Sequence, residues 1–416
     1  MATLKRREFL ASSALAAGGL LLTSRVAFAR AQTSSRFVFV VLRGGLDGLS
    51  AVPPYADPDY ARLRRELALS APGTTGGVLK LDETFGLHPS LRFLHDSFSA
   101  RELIVFHAIA SPYRERSHFD AQDVLENGHV RPHASQTGWL NRALAALPSA
   151  SSAQSKELGV AIGQNVPLVM RGPAAVASWS PSRLAGIDED TLDRIADLYA
   201  NDALLSKRLA DALESNAIAT QGNESGQDHG EGMLARRQKG RMRAAARYPE
   251  IIRAAANFLK REDGPRVAVF DVTGWDTHAN QGAAQGQLAL RLAALDSGLR
   301  QLKEQLGPVW RETAVMIATE FGRTAAANGT RGTDHGTAGA AFLLGGAVQG
   351  GRVIADWPGL STRALHEQRD LKPTLDVRSA LKGVLAEHLQ IPNRALESSV
   401  FPESKAARPL SGLTRA

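Results

Sequence analysis

Cysteine is absent from the 416 residues. That excludes disulfides, thiolate nucleophiles and Cys-bound zinc or iron–sulfur clusters, so any metal must be held by oxygen and imidazole. Aromatic residues are only 6% of the chain, and neither an RNA-type aromatic platform nor a basic helix stands out. The formal charge of +7 and the pI near 9.8 come from scattered lysines and arginines. They read as solvated surface, and no nucleic-acid partner is expected. No Gly-x-Gly-x-x-Gly follows a strand pattern, which argues against a dinucleotide site. Internal repeats and low-complexity domains are also missing.

The first 31 residues read as an address. Lys5-Arg6-Arg7-Glu8-Phe9-Leu10 opens an Ala/Leu/Gly-rich apolar run to about Leu22. That order of charged region, short apolar region and small-residue cleavage site is a secretory signal's, and the paired arginines are of the twin-arginine type. The run is short for a membrane span. The expectation is therefore a periplasmic or otherwise exported protein, a passenger of the twin-arginine translocase, with no permanent membrane anchor. Residues 32–416 then form a single α/β domain.

Four apolar runs each lead into a turn that carries a carboxylate, with glycine or imidazole beside it. Arg36-Phe-Val-Phe-Val-Val-Leu42 has no polar alternation, as a strand covered on both faces requires, and runs into Arg43-Gly-Gly-Leu-Asp47. Arg266–Val272 leads into Gly274-Trp-Asp-Thr-His278, so Asp276 and His278 lie two apart in a loop. Thr313–Thr319 ends in Glu320-Phe-Gly-Arg323, followed by Gly332-Thr-Asp-His335. Glu102–Ile109 precedes Ser111-Pro-Tyr-Arg-Glu-Arg-Ser-His-Phe-Asp120. Ser117 followed by Asp120 before a helical run has nearly the form of a capping box. A serine at a helix start is equally placed to be a nucleophile favoured by the local amides, with His118 as a proton-transfer group beside it. His88, His95 and His107 read as ordinary surface or packed histidines. Residues 183–262 look like a helical insertion or cap, interrupted by the polar stretch Gln221–Gly232.

In a parallel sheet, carboxyl ends of strands share one edge, so these distant turns should converge. Asp47, Asp120, Asp276, His278, Glu320, Asp334 and His335 are the candidate metal ligands. They would hold one or two divalent ions, with zinc, manganese, calcium or iron as candidates. Ser117 and His118 are candidate catalytic groups. Arg43 and Arg323 are candidates to hold an anionic substrate.

The twin-arginine start, followed in order by RGGLDGL, RSHFDAQD, GWDTHANQ, TEFGRT and GTDHGTAG, resembles domain-of-unknown-function family 1501. The likeness spans nearly the whole mature chain. It implies an alkaline phosphatase- and sulfatase-like fold, with a central, mostly parallel sheet flanked by helices and metals at the strand ends. Under that resemblance Asp47 corresponds to the ligand after the first strand, His335 to the last metal histidine and Ser117 to the nucleophile's place. Asp276 and His278 are closer together than the superfamily's Asp-x-x-x-His pair, and Glu320 stands where Asp-His is usual. The resemblance implies a metal-dependent hydrolase of phosphate or sulfate esters with an anionic small-molecule substrate. The alternative is a non-catalytic exported protein on the same fold, binding or assembling with another exported protein.

Overall fold

Phe37, Phe39 and Val41 point to one side of strand β1 (Arg36–Arg43), and Val38, Val40 and Leu42 to the other. All six are at most 1% exposed, so the run is buried on both faces, as its lack of alternation demanded. In this computed structural model, which describes residues 34–147, 158–181, 195, 198–199, 202–221 and 236–415, β1 lies at the centre of the sheet. It pairs in parallel with β7 (Val267–Thr273) and β8 (Thr313–Thr319). The N-terminal stretch read as a signal, His229, most of the 188–198 stretch and most of the 221–232 stretch lie outside the described residues.

The nine-stranded sheet runs β10 (Arg352–Ile354), β4 (Leu103–Ala110), β9 (Gly339–Leu344), β8, β1, β7, β5 (Gly159–Ile162), β6 (Val176–Trp179). β11 (Leu375–Asp376) also pairs with β4, beyond β10. Only β9 runs against its neighbours; the architecture is a mostly parallel central sheet flanked by helices. β2 (Leu79–Lys80) and β3 (Gly86–Leu87) form a separate hairpin.

Helices in chain order are α1 (Gly48–Ala51), α2 (Tyr60–Arg64), α3 (Arg92–Ser99), α4 (His118–Asn127), α5 (Trp139–Ala145), α6 (Ala203–Thr220), α7 (Arg236–Lys260), α8 (Gln287–Leu306) and α9 (Val377–Glu387). One sheet face packs on α3, α7 and α8 through Leu94, Ile252, Phe258, Leu292 and Leu299. The other packs on α5 and α9 through Trp139, Leu140, Leu381 and Val384. Phe39 meets Trp139 edge-on, with ring centroids 5.2 Å apart, and truncating such a core aromatic typically costs ~3–5 kcal/mol. The carboxyl half of α7, inside the stretch read as a helical insertion or cap, packs on this face of the sheet through Ile252 and Phe258.

Two turns are built for close approach at the carboxyl edge. After β1 the chain turns through Gly44 at φ +120°, where a Cβ would sit 2.6 Å from the Asp276 amide. At Gly332 a Cβ would come within 2.3 Å of the His278 carbonyl oxygen. These side-chain-free contacts let the loops after β1, β7 and β8 pack backbone to backbone, which brings their functional residues together.

Candidate metal centre

Three imidazoles meet at the carboxyl edge of the sheet. His118 opens α4, His278 lies in the loop after β7, and His335 lies in the loop from β8 to β9. His335 follows no strand directly. It reaches this edge because β9 is antiparallel, so the amino end of β9 lies beside the carboxyl ends of its neighbours.

Each ring has an oxygen at Nδ1. His118 Nδ1 is 2.8 Å from Glu320 Oε1, His278 Nδ1 is 3.1 Å from Asp334 Oδ1, and His335 Nδ1 is 3.0 Å from the Arg116 carbonyl. Carboxylate and carbonyl oxygens only accept, so a neutral ring must carry its proton on Nδ1 and keep the lone pair on Nε2. The Nε2 atoms converge. His335 Nε2 lies 2.9 Å from His118 Nε2 and 2.9 Å from His278 Nε2. Asp276 joins them, with Oδ1 2.9 Å from His278 Nε2 and 3.3 Å from His335 Nε2, and Oδ2 3.6 Å from His118 Nε2. Lone pairs this close repel unless a proton or a cation lies among them. Three neutral imidazoles and a carboxylate, each ring oriented by an oxygen behind it, fit a divalent transition ion such as zinc, iron or manganese; calcium prefers an oxygen cage.

The supporting groups are themselves fixed. Glu320 is fully buried and accepts from the Gly44 amide at 2.8 Å, Gln122 at 3.0 Å and Thr319 Oγ1 at 2.9 Å. Burial pushes its carboxyl up, but the His118 and Gln122 hydrogen bonds outweigh that and hold it below its ordinary value. The bond to Glu320 raises His118, despite burial, whereas burial and then the charges of His118 and Arg323 lower His335. Asp276 follows the pattern of Glu320: burial raises it, and the hydrogen bond and charge of Arg323 bring it below the usual range. Asp334 is anchored by Asn328 Nδ2 at 3.0 Å. Arg116 has φ +64°, an unusual conformation for a side-chain-bearing residue, which Asp370 at 2.8 Å and Glu367 at 2.5 Å help to hold.

The sequence-derived candidates therefore separate. Asp276, His278 and His335 come together with His118, which supplies a ring nitrogen to the cluster rather than standing apart as an acid or base. Glu320 and Asp334 stand behind the rings as orienting acceptors. Asp47 is elsewhere. It caps α1 and is buried against the Arg64 guanidinium, with Gln281 Nε2 at 2.7 Å and Ser50 Oγ at 2.9 Å, so donors and a cation already occupy it. Asp120 takes Tyr113 OH at 3.2 Å and faces His133.

Neither arginine presents an open fork. Arg43 bridges Glu126 at 2.8 Å and Asp271 at 2.7 Å. The fully buried Arg323 side chain holds Asp276 at 2.5 Å and bonds Thr333 through Nε at 3.2 Å and through Nη2. Ser117 is the N-cap residue of α4, and its side chain makes no capping bond.

Sequence reasoning missed Gln122, Asn328 and the Arg116 carbonyl. Gln122 had a readable signal: on a helix it lies four residues from His118, on the same side. The other two follow from loop conformations that no spacing encodes.

Among solved structures, the chain is similar to Ps i-CgsB in complex with k-i-k-neocarrahexaose, at 11% identity over 91% of this chain and 77% of that one, TM-score 0.40. It is also similar to the lipoteichoic acid synthase LtaP from Listeria monocytogenes, at 9% identity over 79% and 67%, TM-score 0.33. A third likeness is to the C-terminal periplasmic domain of EcEptC from Escherichia coli in complex with Zn, at 10% identity over 75% and 73%, TM-score 0.29. No curated protein sequence matches. A family model described as "Protein of unknown function (DUF1501)" matches residues 34–400, and the chain belongs to that family.

Proposed function

We propose that this chain is an exported, metal-dependent hydrolase of phosphate or sulfate esters. The observation that carries the reading is the convergence of three Nε2 atoms on the Asp276 carboxylate, with every Nδ1 proton already directed to an oxygen. His118, His278, His335 and Asp276 would hold one divalent ion, which when bound acts as a Lewis acid toward an ester oxygen. Glu320, Asp334 and the Arg116 carbonyl keep the rings in the binding tautomer, and Arg323 fixes Asp276. Ser117, directly before His118 at the amino end of α4, is the nucleophile in this reading, because the first-turn amides and helix dipole favour its alkoxide and an incoming anion. Residues 1–31 serve as the twin-arginine signal.

Elemental analysis of mature protein purified without chelator, beside His335→Ala, tests the metal; a screen of aryl and alkyl phosphates and sulfates tests the reaction. About one equivalent of metal and turnover, both lost in the variant, are the expected outcome. Wild-type protein that holds no metal, even on titration, defeats the reading. One observation favours the non-catalytic alternative: Arg43 and Arg323 are both engaged by carboxylates, so a substrate anion would have to compete with those pairs. Bound metal without turnover of any ester would decide for that alternative.

A further inference from the structure

α4 has a second use. His118 and Gln122 reach Glu320, while Phe119, Gln122, Asp123 and Glu126 line a cleft of about 560 Å³. Positions 119, 122, 123 and 126 fall on one helical face. Gln122 belongs to both groups: it lines the cleft and donates to Glu320, the acceptor behind the His118 ring.

We propose that this cleft binds the alcohol portion of the ester, and that this portion is an uncharged, hydroxyl-rich group such as a sugar. The inference rests on the hydrolase reading above. Two features of the cleft select that chemistry. Phe119 is 87% exposed, an unusual placement for phenylalanine, and its ring offers a flat platform for the C–H face of a pyranose. Gln164 and Asn165 supply side-chain amides, which donate and accept as hydroxyls need.

The charge balance excludes other occupants. Asp123, Glu126 and Asp271 face Arg43 and Arg171, three carboxylates against two guanidiniums, so an anionic alcohol group would be disfavoured there. A lipid chain would leave the Gln164 and Asn165 amides facing hydrocarbon, which costs more than the apolar contact returns. The ester's negative charge therefore belongs at the metal cluster and its neutral polyol at Phe119.

The test is isothermal titration of the zinc-loaded mature protein with cellobiose, lactose and maltose, and with adenosine and 1-hexanol as competing chemistries. Phe119→Ala and Gln164→Ala are titrated in parallel, with circular dichroism and zinc content confirming that each is folded and loaded. At least one disaccharide is expected to bind, and Phe119→Ala to weaken it about tenfold, ~1.4 kcal/mol. Gln164→Ala should weaken it by a smaller factor. Binding of none of the three disaccharides, equal binding by Phe119→Ala, or tighter binding of adenosine or hexanol overturns the proposal. The readout needs no turnover. Sugar binding without ester hydrolysis would defeat the hydrolase reading alone, and aryl-ester hydrolysis without sugar binding would defeat the cleft alone.

Discussion

Asp47 and Asp276 follow adjacent parallel strands, in glycine-containing turns on the same sheet edge, and they do different things. Asp47 is 1% exposed and has its charge answered inside the protein by Arg64, Gln281 and Ser50. Asp276 is part-exposed, is answered on one oxygen by Arg323 and faces three imidazole nitrogens. A carboxylate that the chain has satisfied fastens loops together. One left facing electron-rich nitrogens needs something from outside. The difference lies in the partners, which come from far along the chain in both cases.

The largest expected effect breaks the Asp276 side of this comparison. His278→Ala with His335→Ala removes two of the three converging nitrogens. Metal content measured on purified protein should fall from about one equivalent to background, at least a hundredfold in affinity. The unfolding midpoint of the variant should no longer respond to added zinc, because ligand stabilisation requires the native site. A zinc-dependent midpoint that survives in the double variant places the ion elsewhere.

The Asp47 side breaks differently. Arg64→Ala leaves a buried carboxylate without its cation, a change that typically costs ~3–5 kcal/mol. Urea denaturation of the mature protein measures it. Metal bound per folded molecule should be unchanged, since Asp47 touches none of the three rings. Loss of metal in folded Arg64→Ala would mean that the two carboxylates act as one site.

A smaller effect sharpens the contrast. Asp334→Asn and Glu320→Gln keep all the ring nitrogens but weaken the acceptors behind His278 and His118. Metal affinity should fall about 10–100-fold, and competition with a chromogenic chelator reads this. Asp120→Asn should leave the affinity where it was. If all three variants behave alike, the oxygens behind the rings have no orienting role.

Which parts of this were legible beforehand follows from the range of the signals. β8 is the apolar run 313–319, with the same ends, because burial on both faces writes itself into composition. β6 is different: Val176–Trp179 has only two of its four residues buried, so no continuous apolar run marks it. Convergence of the turns follows from parallel strand direction, which sets the loop carrying Asp276 and His278 at this edge. Two partnerships were not readable. The Asp47 pocket is closed by Gln281, 234 residues away, and the His335 tautomer is set by the backbone carbonyl of Arg116 at positive φ. Neither leaves a periodicity or a spacing. The ion pairs of Arg43 and Arg323, the candidates to hold an anionic substrate, were unreadable for the same reason: a charge shows in the sequence, but the carboxylate that answers it does not.

The smallest effect is a pH dependence on the Asp47 side. Burial alone would raise the Asp47 carboxyl, but the charge of Arg64 and the hydrogen bonds of Gln281, Ser50 and Arg64 outweigh it, so its folded value lies below the ordinary 3.8. A carboxyl depressed by folding binds fewer protons in the native state than in the unfolded chain. Its contribution is therefore fully present above the unfolded value and is lost as pH falls through the folded one. Wild-type protein should be more stable than Asp47→Asn at pH 7, and the gap should narrow only below about pH 4, where the unfolded carboxyl begins to protonate. Urea midpoints of both proteins from pH 7 to pH 3 check this. A gap that stays constant to pH 3 would mean that Asp47 acts through hydrogen-bond geometry and not through its charge, and would leave Arg64 without an electrostatic reason to be buried there.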